Sequence, residues 1–264
     1  MSDPIEGAPE VTAAATGFRE FEFDLPGALL NHLVLVLDEM ESAPLNPTSL
    51  AAVPEAQGVY QLFLDGQLVY IGKTDGEAGL LKRLSRHAKK ILHRHNLDPA
   101  RVSFKAIRIF VFTAMDLETQ LIKHYTQDKG TLWNGSGFGS NDPGRKRDTS
   151  EPGRFDQEFP IDIDRELEDD FSGTDTAANV AARVKLLLPY TFRFQTIGKS
   201  RKPHADLAET IVVISPGNNT ARKVIEEMVR QLPSGWQATA LSAVMILYKE
   251  SREDYPDASI LARS

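Results

Sequence analysis

The sequence predicts an α+β fold: a small three-stranded antiparallel sheet flanked by helices, preceded by an N-terminal arm and followed by a C-terminal α+β extension. Three observations predict it. Alternating runs at Gly58 to Leu64 and Gln67 to Gly72 enclose the turn-forming pair Asp65-Gly66, and a third alternating run covers Val102 to Phe112. Apolar residues recur at helical spacing at Leu80, Leu84, Ala88 and Ile91, and again at Leu117, Leu121 and Tyr125. Beyond an acidic stretch near 162–176 the pattern restarts with new strands and helices. The arm is placed at 1–50, the central unit at 51–160 and the extension at 161–264.

Taken in order, residues 1–16 are small, acidic and aperiodic, which predicts a loose tail. Phe18 to Phe23 alternates as a short strand does. Asp24 and Pro26 then start a helix whose apolar face holds Leu29, Leu30, Leu33, Val34 and Leu37. Pro44, Pro47 and Pro54 punctuate the approach to the central hairpin.

The hairpin register carries a functional consequence, because side chains alternate between faces. A two-residue turn would pair Gln61 with Tyr70 and send Tyr60 and Tyr70 to opposite faces. A three-residue loop from Leu64 to Gly66, with Gly66 left-handed in a bulge, puts both tyrosines on one face, and this is the register expected.

A helix follows from Leu80, with Arg83, His87, Lys90 and Arg94 along one stripe, and a second is expected from about Met115 to Thr126. Residues 131–160 read as a long Gly-, Pro- and charge-rich loop. In the extension, Tyr190 to Phe194 and Ile211 to Ile214 read as strands. Asn219 to Leu232 reads as a helix and Trp236 to Tyr248 as one final strand.

Composition excludes several chemistries. The 264 residues include no cysteine, which removes disulfides, thiolate zinc sites and cysteine nucleophiles and suits a reducing cytoplasm. The N-terminus is acidic and lacks the layout of a secretion signal, so a cytoplasmic location is expected. The longest apolar run, Leu29 to Leu37, contains Asn31 and His32 and is too short to span a bilayer.

The net charge of −7 is unevenly spread. From Ile71 to Phe110 ten Lys or Arg stand against three Asp or Glu, a local +7, whereas residues 1–56 carry ten acids and one base. Such separation can give an acidic protein a positive face suited to nucleic acid.

Within the central unit certain residue types suit phosphodiester hydrolysis. That reaction needs an activated water, charge stabilisation at the phosphoryl oxygens and assistance to the leaving oxygen; a divalent cation serves the last two needs. Glu118 sits among Leu117, Leu121 and Ile122, where a carboxylate needs a partner or a metal. Arg83 and His87, four apart, share a helix face and combine a planar phosphate-binding fork with a proton relay.

Gly58-Val59-Tyr60, Tyr70-Ile71-Gly72, Arg83 with His87, Glu118 and Asn134, in this order and spacing, resemble the GIY-YIG nuclease superfamily. The resemblance covers Gly58 to Asn134, with Val59 in place of the usual isoleucine. It implies an endodeoxyribonuclease using Mg2+ (or Mn2+) on double-stranded DNA. In it Tyr60 activates water, as phenolate or through a hydrogen bond with His87, and Tyr70 orients the water or the phosphate. Arg83 stabilises the phosphorane, Glu118 is the metal ligand, and Asn134 braces the site or bonds a phosphate. Lys73, Lys90, Arg94, Arg145, Lys146 and Arg147 are the expected DNA contacts.

Within that superfamily, Trp133 to Gly139 followed by Asn141 to Arg145 looks similar to the stand-alone Type II restriction endonucleases, although the tight hairpin departs from members with long insertions there. This similarity implies site-specific cleavage, a homodimer on a palindromic target and a methyltransferase encoded nearby. A structure-specific repair or recombination nuclease and a non-catalytic DNA-binding module are the alternatives.

Overall fold

In the computed structural model the structure describes residues 24–74, 78–110, 117–126, 133–140, 142, 144–198, 200–250, 254–255 and 257–264, with only the backbone of Lys146 and Arg147. The strand expected at Phe18 to Phe23 lies outside them.

The chain is a mixed α+β protein. Helix α1 (Leu25–Glu39) starts as expected, its first turn capped by the Asp24 carboxylate, which accepts from Gly27 N–H at 2.9 Å. Strand β1 (Ala43–Pro44) and the short helix α2 (Pro47–Leu50) lead into the hairpin of β2 (Gly58–Leu64) and β3 (Gln67–Thr74). Helix α3 (Leu80–Lys90), strand β4 (Val102–Arg108) and helix α4 (Leu117–Tyr125) complete the central unit. Met115 and Asp116, at the expected start of α4, lie outside the described residues.

The central sheet has the order β1-β4-β2-β3, four strands rather than the three expected. The extra strand comes from the arm: Ala43 and Pro44 pair with Phe104 and Ser103. A proline is tolerated there because β1 is the sheet edge, where one N–H is not needed.

Period-two alternation divides the sheet into two faces. Val59, Ile71 and Ile107 pack with Leu33, Val34 and Leu37 of α1 and Leu117 and Leu121 of α4. Tyr60, Leu62, Tyr70 and Phe104 pack on the other face with Leu80 and Leu84 of α3.

The hairpin corrects the expected loop while keeping its consequence. The turn is the two-residue kind: Leu64 pairs with Gln67, and Asp65 (φ 51°) and Gly66 (φ 78°) both take the left-handed conformations of a type I′ turn. The extra residue sits farther along. Phe63 pairs with Leu68 and Leu62 with Tyr70, so Val69 is bulged out of the ladder. Beyond the bulge Tyr60 pairs with Gly72, and both tyrosines face α3.

The stretch at 131–160, expected as an open loop, is packed where it is described. Trp133, Phe138, Phe155 and Phe159 are buried and form edge-on and tilted ring contacts with centroids 4.7–5.9 Å apart. Phe155 and Phe159 belong to helix α5 (Arg154–Glu158) and its C-cap. Beneath them the buried Arg94 pairs with the buried Asp156 at 2.9 Å and donates to Phe159 O at 2.8 Å.

The C-terminal part contains β5 (Gly173–Thr176), α6 (Ala177–Leu187), β6 (Thr191–Phe194), α7 (Ala205–Glu209), β7 (Ile211–Ile214), α8 (Ala221–Val229), β8 (Gln237–Ala240), β9 (Val244–Tyr248) and β10 (Ser259–Arg263). The single strand expected from Trp236 to Tyr248 is the hairpin β8–β9, closed at Leu241-Ser242-Ala243 without glycine, proline or asparagine to mark it. One sheet runs β10-β8-β9-β6, with β6 parallel to β9, and β5 pairs with β7 in a second. A separate apolar cluster extends from Ile161 to Ala262. The outer edge of β7 is met by the residue just beyond α8: the Gln231 amide bonds Val213 N–H and C=O, both at 2.9 Å, as a neighbouring strand would.

The Arg94–Asp156 pair has little access to water, so removing one member leaves a buried charge. Asp156→Ala is expected to lower stability by about 3–5 kcal/mol, read as a reduced urea midpoint.

Candidate active site

Strands β2 and β3 deliver Tyr60 and Tyr70 side by side, ring centroids 6.0 Å apart. Helix α3 lays Arg83 and His87 over them. The Tyr60 hydroxyl is 2.8 Å from His87 Nε2 and accepts from Arg83 Nε at 3.4 Å. The four side chains thus converge on one point.

Two glycines make the convergence possible. A Cβ on Gly72 would lie 2.4 Å from the Tyr60 hydroxyl, and one on Gly139 would lie 2.3 Å from the Tyr70 hydroxyl. The glycine closing the Tyr70-Ile71-Gly72 motif is therefore the floor on which the other motif's tyrosine rests.

His87 is fully buried, and its ring stacks on Phe138 at 4.7 Å with 14° between planes. Nδ1 has no hydrogen-bond partner among the described residues. The ring is held by the Tyr60 bond at one nitrogen and by Phe138 at its face.

Burial sets the protonation states. Desolvation, then the nearby Arg83, Arg86 and Lys90, depress His87 from 6.5 to about 3, so it is neutral. Desolvation, then Tyr70, raises Tyr60 well above the ordinary phenol value, and Arg83 only partly opposes this. Tyr70 is raised by burial and then by the negative charge of Glu118, which places that carboxylate within electrostatic reach of Tyr70. Burial acts to lower Arg83, but hydrogen bonds and charge interaction with the two tyrosines outweigh it and raise the guanidinium.

Glu118 is half-buried in the first turn of α4. Among the described residues no group of three or more His, Asp or Glu converges; Glu118 is a carboxylate whose charge reaches Tyr70. One carboxylate beside a substrate phosphate suits magnesium, which retains most of its waters.

Asn134 does the bracing. Its side-chain oxygen accepts from Ile71 N–H at 2.9 Å and its amide donates to Ile71 C=O at 2.8 Å. One residue earlier, Trp133 N–H donates to Val69 C=O at 2.7 Å. The Trp133-Asn134 pair therefore clasps the outer edge of β3, at the bulge and beside Tyr70.

The expected DNA contacts divide. Lys73 is exposed at the end of β3. Lys90 turns inward and donates to the carbonyls of Gly137 at 2.8 Å and Phe138 at 2.5 Å. Arg94 is buried against Asp156. Both Lys90 and Arg94 fasten the 133–159 segment to α3, and both also line a cleft beside that helix. Arg145 stacks over Tyr248 at 4.0 Å and donates to Gln195 at 2.5 Å, and the side chains of Lys146 and Arg147 lie outside the described residues.

Sequence reasoning missed Phe138, whose role depends on a contact 51 positions from His87, as 138 − 87 gives. It also missed Arg86, three residues from Arg83 on the same helix, which helical spacing could have identified. No protein-family model and no curated protein matches the chain.

His87 is neutral when folded and protonates near its ordinary 6.5 when unfolded, so the unfolded state binds the extra proton. Its contribution makes stability fall as pH drops from 6.5 towards 3, by up to about 1.4 kcal/mol per pH unit. Urea unfolding at pH 7 and pH 5 should show a loss that is about 1–2 kcal/mol larger in the wild type than in His87→Gln.

Proposed function

We propose that the chain is a metal-dependent endonuclease of the GIY-YIG type that hydrolyses phosphodiester bonds in double-stranded DNA, acting as a site-specific restriction enzyme. The observation that carries this reading is the convergence of Arg83 and His87 on the Tyr60 hydroxyl, beside Tyr70 and within the field of Glu118.

The protonation states support one of two routes of water activation. Burial holds Tyr60 above the ordinary phenol value and His87 below the ordinary imidazole value, so both shifts disfavour a phenolate–imidazolium pair in the resting site. The neutral relay is favoured. In this route Tyr60 takes a proton from the attacking water as its own hydroxyl proton passes to His87 Nε2; the water oxygen bonds to phosphorus as the bond from phosphorus to the leaving oxygen breaks, the leaving oxygen takes a proton from solvent, and the His87 imidazolium returns its proton to solvent.

Arg83 lies next to the reacting oxygen, where its guanidinium meets the charge that builds on the phosphorane. Tyr70 orients the water or the phosphate. Glu118 would hold a magnesium or manganese ion, which would supply charge stabilisation at the phosphoryl and leaving oxygens. Cleavage of both strands of a palindromic site calls for two copies of the chain related by a two-fold axis, and self-protection calls for a methyltransferase.

Incubation of the purified protein with unmethylated phage DNA and magnesium should produce discrete fragments that are absent with EDTA. Glu118→Ala should bind DNA without cutting, and Tyr60→Phe should reduce the single-turnover rate by roughly 10²–10⁴-fold. Full activity in Glu118→Ala would overturn the assignment. A smear of products would favour a structure-specific or non-specific nuclease, and intact DNA with retained binding a non-catalytic module.

A further inference from the structure

A cleft of about 420 Å³ opens between α3 and the C-terminal part. Arg86 and Lys89 line it from the helix, Ser140 and Asp142 from the segment that follows Phe138, and Lys185 and Thr191 from α6 and β6. Arg86, Lys89 and Lys185 are exposed. The one carboxylate of this set, Asp142, is paired with Arg193 at 2.7 Å, so its charge is answered outside the cleft and the lining stays positive.

The cleft continues the candidate active site. Arg86 lies three residues from Arg83 and within electrostatic range of Arg83, Tyr60 and Tyr70. It is fixed there by donating to Gly139 C=O at 3.1 Å, next to the Tyr70 hydroxyl. Arg83, Arg86 and Lys89 follow at intervals of three along α3, a rise of about 9 Å that turns from the site towards the cleft. A DNA strand advances about 3.4 Å of axis per phosphate, so this rise spans two to three phosphates. Lys185 faces the row from the other wall, its ammonium held 5.4 Å over the Phe194 ring.

We infer that this cleft binds the sugar-phosphate backbone flanking the scissile bond, with Lys89 and Lys185 as contacts on opposite walls. The C-terminal part thereby becomes half of the DNA-binding surface. The inference rests on the nuclease reading for the identity of the ligand. Continuity with Arg83 and the row of charges along α3 favour a polymeric phosphate over a small anion, which would need only one of these groups.

The test measures binding separately from cutting. Affinity for a short fluorescent DNA duplex of arbitrary sequence is followed by anisotropy in EDTA across a salt series, for wild type, Lys89→Gln, Lys185→Gln and the double variant. Each single change should reduce the slope of log affinity against log salt by about one, and the double variant should bind about tenfold more weakly near physiological salt. Lys223→Gln, an exposed charge on α8, is the control and should bind as the wild type does.

Unchanged affinity and slope in the double variant, with a wild type that cuts DNA, would overturn the cleft and leave the nuclease reading intact. Weakened binding in the variants of a protein that never cuts would support the cleft and overturn the nuclease reading. A wild type that neither binds nor cuts would overturn both.

Discussion

The candidate site depends on one bulged residue. The type I′ turn at Asp65-Gly66 sets a register that, carried unbroken along the hairpin, would place Tyr60 and Tyr70 on opposite faces of the sheet. Val69 changes the parity, and both phenols then point at α3. The bulge also lies on the outer edge of the sheet, where Val69 C=O receives Trp133 N–H and the Asn134 amide spans Ile71. The irregularity that aligns the tyrosines is thus where the next segment attaches. That segment brings Phe138 against His87 and Gly139 against Tyr70.

Helix α3 and the turn that follows it serve two faces with two sets of basic residues. Neutral His87 and the cations Arg83, Lys90 and Arg94 point inward, and each has a fixed partner: Tyr60 for His87 and Arg83, loop carbonyls for Lys90, Asp156 for Arg94. The inward set is held by short contacts in surroundings of restricted solvent. Such contacts are worth more there than at exposed pairs such as Arg230–Glu226, whose contribution is about 0–1 kcal/mol. Arg86 and Lys89 point outward. The local +7 that suggests nucleic acid therefore overstates the surface charge, since part of it builds the interior of the site.

Much of this was legible from local pattern. Helix α1 follows from the Asp24 cap and the spacing of Leu33, Val34 and Leu37, and the hairpin from its alternation and turn residues. Tyr60, Tyr70, Arg83 and His87 were legible as a set only through the resemblance of their motifs, since each pair alone is common on strands and basic helices. The position of the bulge was not, because Asp65-Gly66 is compatible with either loop and the contact at Trp133 that accompanies the bulge lies 64 residues away, as 133 − 69 gives. The cohesion of 133–159 was hidden as well: its glycines and prolines look like loop, while the four aromatics that pack it have no regular spacing. For Lys90 and Arg94, charge predicted exposure, and only tertiary structure supplies the carbonyls and the carboxylate that turn them inward.

The C-terminal part has its own apolar cluster, yet it is fastened to the segment that shapes the site. Arg193 of β6 pairs with both Asp142 and Asp148, and Tyr248 of β9 donates to Asp148 at 3.2 Å while Arg145 stacks on its ring. Two carboxylates beside an anion-binding cleft would repel a phosphate backbone. Bound to Arg193, they instead act as anchors that draw the end of the Phe138 segment onto the C-terminal sheet. The same arginine therefore fixes the segment that supports His87 and removes negative charge from the approach to Arg86. Position and electrostatics are coupled through it, which makes the C-terminal part a structural component of the site.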